Sequence, residues 1–282
     1  MNSSAPAVLL SVSVVLYDTD ISVLEKTLMH LVKAAEKLKS FPESERLSLC
    51  LLDNHPQQTS LANLPERCME QLSACFDQVN IIKNTTNLGY GGGHNRCIEN
   101  RQSRFHLILN PDVFLEEDAL LKGVAYLQAN IDVGLLAPHV VDEKNRPLYL
   151  CKRFPTVLDF LLRGFAPSWV KRFFGKRLAN YEMQDVYTAG RACKEIPIIS
   201  GCCMLARTQM LKSVGGFSKD YFLYFEDFDL SLRMAWLAKV AYCPDMKIIH
   251  VGGHSAKKGW HHIRLFARSA ITFYNTYGWR WL

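Results

Sequence analysis

The sequence predicts an α/β protein built on a mostly parallel central sheet with helices on both faces. Three observations carry this reading. Short runs of Val, Leu and Ile alternate with longer segments whose apolar residues recur at helical spacing. The runs are rich in Val, Leu and Ile, as strands covered by helices on both sides are. Asp and Asn residues gather at the carboxyl ends of the runs, which is where open parallel sheets bind ligands.

In chain order, Val8 to Tyr17 reads as a buried strand, and Asp18 to Asp20 as a polar turn. Ile21 to Lys39 is an amphipathic helix through Leu24, Leu28, Leu31, Val32, Ala35 and Leu38. Leu47 to Leu52 is a second strand and, after a less regular stretch, Val79 to Ile82 a third. A helix is expected over Gly91 to Arg101, a strand over Phe105 to Leu109, a helix over Glu117 to Asn130 and a strand over Val133 to Ala137. The second half is less regular. Glu195 to Ala206 reads as a strand interrupted at Ser200-Gly201, Val214 to Phe217 as a turn and Phe228 to Ala238 as a helix. Ala241 to Val251 is expected as a strand, and Ile263 to Tyr277 as a last amphipathic helix.

The chain has 282 residues, of which 49% are hydrophobic and 21% charged, enough for one large core and too apolar for general disorder. It reads as one domain over 1–282. Its halves are expected over 8–137 and 138–262, with a C-terminal helix over 263–282. The longest N-terminal apolar run, Ala7 to Tyr17, lacks a basic flank and a cleavage site and is too short to span a bilayer. Nine cysteines without a C-x-x-C pair argue against a zinc ribbon or a disulfide framework and read as buried thiols in a reducing, cytoplasmic compartment.

Several clusters are able to carry chemistry. Asp53 and Asn54 end the second strand and suit either a nucleobase and ribose or a turn cap. Asn87-Leu88-Gly89-Tyr90-Gly91-Gly92-Gly93-His94-Asn95 suits either phosphate contact through backbone amides or a tight strand-to-helix turn. It is neither a dinucleotide fingerprint nor a P-loop, since His94 stands where the last glycine is needed and no Lys-Ser/Thr follows. Asn110-Pro111-Asp112 holds a carboxylate at a strand end, fit for a hard divalent cation or simply for a turn. Glu226, Asp227 and Asp229 lie among Tyr221, Phe222, Tyr224, Phe225 and Phe228. Partial desolvation there raises a carboxylate pKa and suits a general base, while a helix N-terminus also favours such charge. His250 is a candidate metal or phosphate contact, or a structural histidine. The segment 152–177 holds seven Lys/Arg and one Asp among Phe, Leu and Trp, a composition for an anionic membrane surface. Its apolar content exceeds any need for base stacking, which disfavours nucleic acid; a helical pair packed on the core is the plainer role.

In order and spacing these motifs resemble bacterial family 2 glycosyltransferases of the rhamnosyltransferase-like branch. The resemblance runs from Ser13-Val14-Val15-Leu16-Tyr17 through Asp53-Asn54, the 87–95 glycine run, Leu109 to Asp112, Ser200-Gly201 and Gly215-Gly216-Phe217. It continues in Tyr224 to Arg233 and in His250-Val251-Gly252-Gly253-His254-Ser255. It implies a GT-A fold, the Rossmann-like fold of nucleotide-diphospho-sugar transferases, and an inverting transfer. By position it implies Asp227 as catalytic base with Glu226 beside it in the acceptor site, and Ser200 and Gly201 in the acceptor pocket. Donor contacts fall on Tyr17, Asp53, Asn54, Asn87, Gly89, Tyr90, Gly91, Asn95, Asn110 and Asp112. Asp112 and His250 would hold Mg²⁺ or Mn²⁺. One departure from the family pattern is Asn110 in place of a first aspartate, which leaves the metal fewer charged ligands. The implied donor is dTDP-rhamnose. The implied acceptor is an undecaprenyl-diphosphate-linked saccharide of O-antigen or capsule synthesis, met at the inner face of the cytoplasmic membrane. Two other functions compete. A sugar nucleotidyltransferase would carry a basic glycine-rich loop where Tyr17-Asp18-Thr19-Asp20 stands. A non-catalytic binding protein using the basic insert would not need the acidic cluster and polar strand ends together.

Overall fold

The computed structural model describes residues 8–40, 46–57, 60–99, 102–164, 166–252 and 259–282. Among the named motif residues, Ala7, Arg101, Phe165 and Gly253-His254-Ser255 lie outside them. The first half runs β1 (Val8–Leu16), α1 (Ile21–Lys39), β2 (Arg46–Asp53), α2 (Glu66–Cys75), β3 (Gln78–Lys83), α3 (Gly89–Ile98) and β4 (Ser103–Leu109). It continues with β5 (Val113–Leu115), α4 (Ala119–Ala129) and β6 (Val133–Val141). The second half holds β7 (Cys151–Lys152) and four short helices, α5 (Val157–Gly164), α6 (Ser168–Phe173), α7 (Gly175–Tyr181) and α8 (Gln184–Thr188). It ends with β8 (Ile198–Ile199), β9 (Cys203–Arg207), α9 (Thr208–Ser213), α10 (Glu226–Ala235), β10 (Lys239–His250) and α11 (Trp260–Tyr277).

The eight-stranded sheet has the order β3-β2-β1-β4-β9-β6-β10-β5. β1, β2, β3 and β4 are mutually parallel, as are β6 and β10. The chain steps from β1 outward to β3 and then returns to the other side of β1. That reversal opens a crevice at the carboxyl ends of β1 and β4. β9 departs from the parallel expectation and runs antiparallel between β4 and β6. The reason lies in its entry point. The expected strand Glu195 to Ala206 is broken at Ser200-Gly201, β8 pairs with β7 in a separate ribbon, and β9 starts at the site edge, where Asn110 N–H donates to Cys202 O at 2.9 Å. This brings Ser200-Gly201 next to Asn110 and Asp112.

Alternation along β1 shows the two covered faces. Leu10, Val12, Val14 and Leu16 pack with α1, α2 and α4, and Val15 faces α3. Ser11 and Ser13 also point to the α3 side, where His106 bridges their hydroxyls at 2.7 and 2.8 Å. Ser13 Oγ also meets His94 Nδ1 at 2.7 Å. Burial holds His94 well below its ordinary pKa, which favours its neutral imidazole.

The glycines of α3 serve packing. A Cβ at Gly91 would sit 2.6 Å from Phe217 Cβ, and one at Gly93 would sit 2.7 Å from Val15 Cγ1. The same close approach joins Cys50 of β2 to Cys97 of α3 in a single disulfide, where the sequence pointed to no disulfide framework. The other seven cysteines are free, and all but Cys193 are buried. A third core cluster, aromatic, packs α11 against α5 and α10 through Phe225, Phe273 and Tyr274 with Phe160 and Phe266. Among the described residues, no helix is long and apolar enough to cross a membrane.

Candidate active site

Two cavities open at the carboxyl edge of the sheet, and one stretch of chain walls both. Phe222 and Leu223 line the first; Tyr224, Phe225, Glu226, Asp227 and Phe228 line the second. The first cavity, about 360 Å³, lies over the β1/β4 crevice. It contains Tyr17, Asn54, Asn87, Gly89, Tyr90, Asn110 and Asp112 of the residues expected at the donor.

Asn54 organises its floor. Its amide donates to Asn87 Oδ1 and to Gly89 O, both at 2.9 Å, while its carbonyl accepts from Asn84 Nδ2 and from Leu88 N–H. Gly89 has φ +74°, and a Cβ there would fall 2.1 Å from Phe222 O, so the backbone approach requires glycine. Tyr17 is exposed and tilts against His55 at 5.1 Å between centroids, leaving an aromatic face at the rim.

Asp53, Gly91 and Asn95, also expected at the donor, are not among the residues that line this cavity. Asp53 is buried and accepts from His55 N–H at 3.1 Å. Gly91 packs on Phe217. Asn95 clamps the glycine turn, donating to Phe217 O and accepting from Phe217 N–H, both at 2.8 Å. Reading the glycine run as a phosphate cradle missed that helical spacing turns Gly91 and Gly93 toward the core. His261 and His262 of α11 also line the cavity. Their sequence signal was only an adjacent histidine pair at a helix start.

A divalent cation fits the residues present. Asp112 Oδ1 and Asn110 Oδ1 are buried and without a hydrogen-bond partner. His250 Nε2 stands 3.4 Å from that same Asp112 oxygen. A Cβ on Gly252 would lie 1.4 Å from Asp112 Oδ2, so the carboxylate occupies space only glycine leaves. No group of three or more His, Cys, Asp or Glu ligands forms among the described residues. A cation here takes Asp112 and His250 and needs ligand oxygens to complete its shell, as Mg²⁺ and Mn²⁺ do with phosphates.

The second cavity, about 440 Å³, holds the acidic pair. α10 begins at Glu226, two residues earlier than expected, so Glu226 and Asp227 form its first turn. Tyr224 and Phe225, just before, have φ +70° and +66°, a left-handed pair that ordinary residues avoid. Asp227 Oδ2 accepts from Gly201 N–H at 2.8 Å, and Oδ1 from Phe228 N–H at 3.0 Å. Tyr90 in turn donates its hydroxyl to Gly201 O at 2.5 Å. Ser200 lines the cavity, and Gly201 packs between Tyr90 and Asp227. Burial raises Asp227 above the usual carboxylate range, partly offset by the amide hydrogen bonds. Burial and then the Asp227 charge raise Glu226 further, and its Oε2 has no partner. Asp229 is structural: Arg233 Nε and Nη2 bind its Oδ2 at 2.8 and 2.5 Å, and Tyr277 donates to Oδ1 at 2.8 Å.

The basic insert is partly a wall of this cavity, which its composition concealed. Lys152 is buried, with Nζ 3.7 Å from Glu182, and Arg163 reaches the same carboxylate at 3.4 Å. Arg153 pairs with Asp185 and Arg177 with Asp159. Four of the segment's cations are thus paired within the molecule, with three carboxylates between them.

The model of the "Glycosyltransferase like family 2" family matches residues 6–272. The chain belongs to glycosyltransferase family 2. That membership makes it a glycosyltransferase, the enzyme class the motif order implied. Among curated relatives it is 26% identical over 245 residues to the N-acetylglucosaminyl-diphospho-decaprenol L-rhamnosyltransferase of Mycobacterium tuberculosis, covering 76% of this chain and 73% of the relative. It is 26% identical over 176 residues to rhamnosyltransferase WbbL of Escherichia coli, covering 58% of this chain and 62% of WbbL. The expected GT-A fold is matched by solved structures. The mannosyltransferase PcManGT of Pyrobaculum calidifontis, solved with GDP-Man and Mn²⁺, superposes at TM-score 0.59 and 16% identity over 93% of this chain and 62% of that one. TarS of S. aureus, residues 1–349, superposes at TM-score 0.56 and 15% identity over 93% of this chain and 65% of that one. The chain therefore spans less than two thirds of WbbL and of these two structures.

The raised Glu226 pKa has a consequence for stability. Its contribution is fully present below the unfolded-state pKa and is lost as pH rises through the higher folded-state pKa. Glu226→Gln removes that loss. The urea midpoint of the variant should gain on that of the wild-type protein as pH rises from 5 to 8, and parallel midpoints across that range would exclude a raised pKa.

Proposed function

We propose that the protein is an inverting glycosyltransferase that moves a sugar from a nucleotide-diphosphate donor to a hydroxyl of a lipid-linked saccharide. The observation that carries this reading is the 222–228 segment, which sets Asp227 at the partition between a nucleotide-sized crevice and an acceptor cavity. Asp227 takes the proton of the acceptor hydroxyl. The oxygen forms its bond to the anomeric carbon as the bond to the diphosphate breaks, and the nucleoside diphosphate leaves. Gly201 N–H and Phe228 N–H hold the Asp227 carboxylate in place for that transfer, and Glu226, kept protonated by burial, can donate to a second acceptor oxygen. Tyr17, Asn54 and Asn87 bound the nucleotide end of the crevice, and Asn110 and Asp112 its diphosphate end. Mg²⁺ or Mn²⁺ held by Asp112 and His250 supplies Lewis-acid stabilisation of the leaving diphosphate. PcManGT, solved with Mn²⁺, supports that choice of cation.

The names of both curated relatives support L-rhamnose as the transferred sugar, with dTDP-rhamnose as donor. The decaprenol relative supports a prenyl-diphosphate acceptor, here undecaprenyl-diphosphate carrying a saccharide for O-antigen or capsule. Seven free cysteines suit a reducing, cytoplasmic compartment, with Cys50–Cys97 the exception. Attachment to the inner face of the membrane is supported by Trp169 and Phe173, paired edge to face and 68% and 83% exposed, beside exposed Arg172 and Lys176.

A panel of nucleotide sugars offered with a synthetic GlcNAc-diphosphoryl-lipid tests the reaction. Transfer should occur with dTDP-rhamnose, fall on EDTA treatment and return with Mn²⁺ or Mg²⁺. Asp227→Asn should lose about 10²–10⁴-fold in turnover with donor affinity kept. A variant as active as the wild-type protein would remove Asp227 as the base. For the membrane contact, Trp169→Ala with Phe173→Ala should weaken binding to anionic vesicles by about tenfold or more, each exposed aromatic contributing at least ~1 kcal/mol on insertion. Unchanged vesicle affinity would exclude this attachment.

A further inference from the structure

We propose that Lys152 and Arg163 form an oxyanion subsite in the acceptor cavity, built to take the phosphate that links the acceptor saccharide to its carrier. The proposal rests on the transferase reading above and adds the chemistry of the cavity's second wall.

That wall carries an unusual charge arrangement. Lys152 and Arg163 both line the cavity that contains Asp227. Both lie over one face-sharing aromatic ring, Tyr181, at 5.5 and 5.6 Å from its centroid. Both lean on one carboxylate, Glu182, at 3.7 and 3.4 Å. Two cations thus share one counter-charge. Lys152 has a side chain only 7% exposed, so its charge is retained at a desolvation cost that Glu182 offsets in part. Burial and the repulsion of Arg163 bring its pKa down to about 8. An arriving phosphate oxyanion would relieve that repulsion and satisfy both cations with charge-assisted hydrogen bonds. A bilayer headgroup does not fit the observations, because a buried ammonium inside a cavity cannot reach the membrane plane. The donor diphosphate does not fit either, because its expected partners, Asn110 and Asp112, line the other cavity. The remaining oxyanion is one carried by the acceptor itself, whose hydroxyl meets Asp227 in the same cavity. Phe160, Tyr149 and Phe228 also line that cavity and offer faces to a sugar ring.

The test compares three acceptors with the same sugar and alkyl chain: a diphosphoryl-linked glycoside, a neutral glycoside and a neutral-linked uronate. Arg163 is used because its side chain is 42% exposed and its loss spares the core. In the wild-type protein the diphosphoryl acceptor should be preferred in kcat/KM over both others. In Arg163→Gln that preference should fall by about tenfold or more, the size of a lost hydrogen bond to a charged group. Arg163→Lys should restore part of it. A wild-type protein indifferent to the phosphate, a preference for the uronate, or a preference unchanged in Arg163→Gln would each overturn the proposal. Calorimetric titration of the diphosphoryl acceptor without donor separates this outcome from failure of the transferase reading. Binding that weakens in Arg163→Gln supports the subsite even if no donor is transferred, and equal binding by both proteins rejects it.

Discussion

Gly201 is held through both of its backbone polar groups, and the arrangement of the site depends on it. Tyr90 donates to its carbonyl, and its N–H donates to Asp227. Burial raises the phenol pKa of Tyr90 far above neutrality, so it stays a donor. Tyr90 belongs to α3, Gly201 to the entry of β9 and Asp227 to α10. One residue therefore ties the donor-side helix, the sheet edge and the base together. The antiparallel setting of β9 follows from the same requirement, since only a strand that starts at the site edge places Ser200-Gly201 there.

Around this tie the chain accepts costs that a purely structural design would avoid. Tyr224 and Phe225 are both left-handed, at a cost of roughly 1–3 kcal/mol each. Two adjacent carboxylates are desolvated beside each other, and the oxygens of Asn110, Asp112 and Glu226 lack partners. The aromatic cluster behind α10 stabilises the strained turn, with Phe225 packed on Phe266 and Phe273. The left-handed pair, an unpartnered oxygen on each of Asn110, Asp112 and Glu226, and two raised carboxylate pKa values thus meet at one edge of the sheet.

The parallel half of the fold was legible because β1, β2 and β4 are dominated by apolar residues and α1 has a strong amphipathic repeat capped by Asp20. The short elements were not. α2 is mostly polar, β5 has three residues, and α5 to α8 are pieces too brief for a period to declare itself. At the site, motif order pointed to Asp112, Asp227 and Ser200-Gly201, which the fold gathers at one edge of the sheet. The contacts of Asn95 and Gly91 with Phe217 and its turn were not legible, because those partners lie more than a hundred residues away. The ion pairs of 152–177 were hidden for the same reason: charge counting sees seven cations but not Glu182 and Asp185 folding back on them. The Cys50–Cys97 pair, 47 residues apart, is set by the closeness of α3 to β2, which glycine spacing alone does not reveal.

The central claim is that Asp227 is a desolvated base poised by its peptide partners. The dependence of the wild-type transfer rate on pH, taken under single-turnover conditions with saturating donor, tests it most directly. Because burial raises its pKa, the rate should rise along an acid limb centred well above the ordinary aspartate value of about 4, with one proton lost. A rate already at its plateau by pH 4.5 would mean a normally solvated carboxylate and would contradict the account.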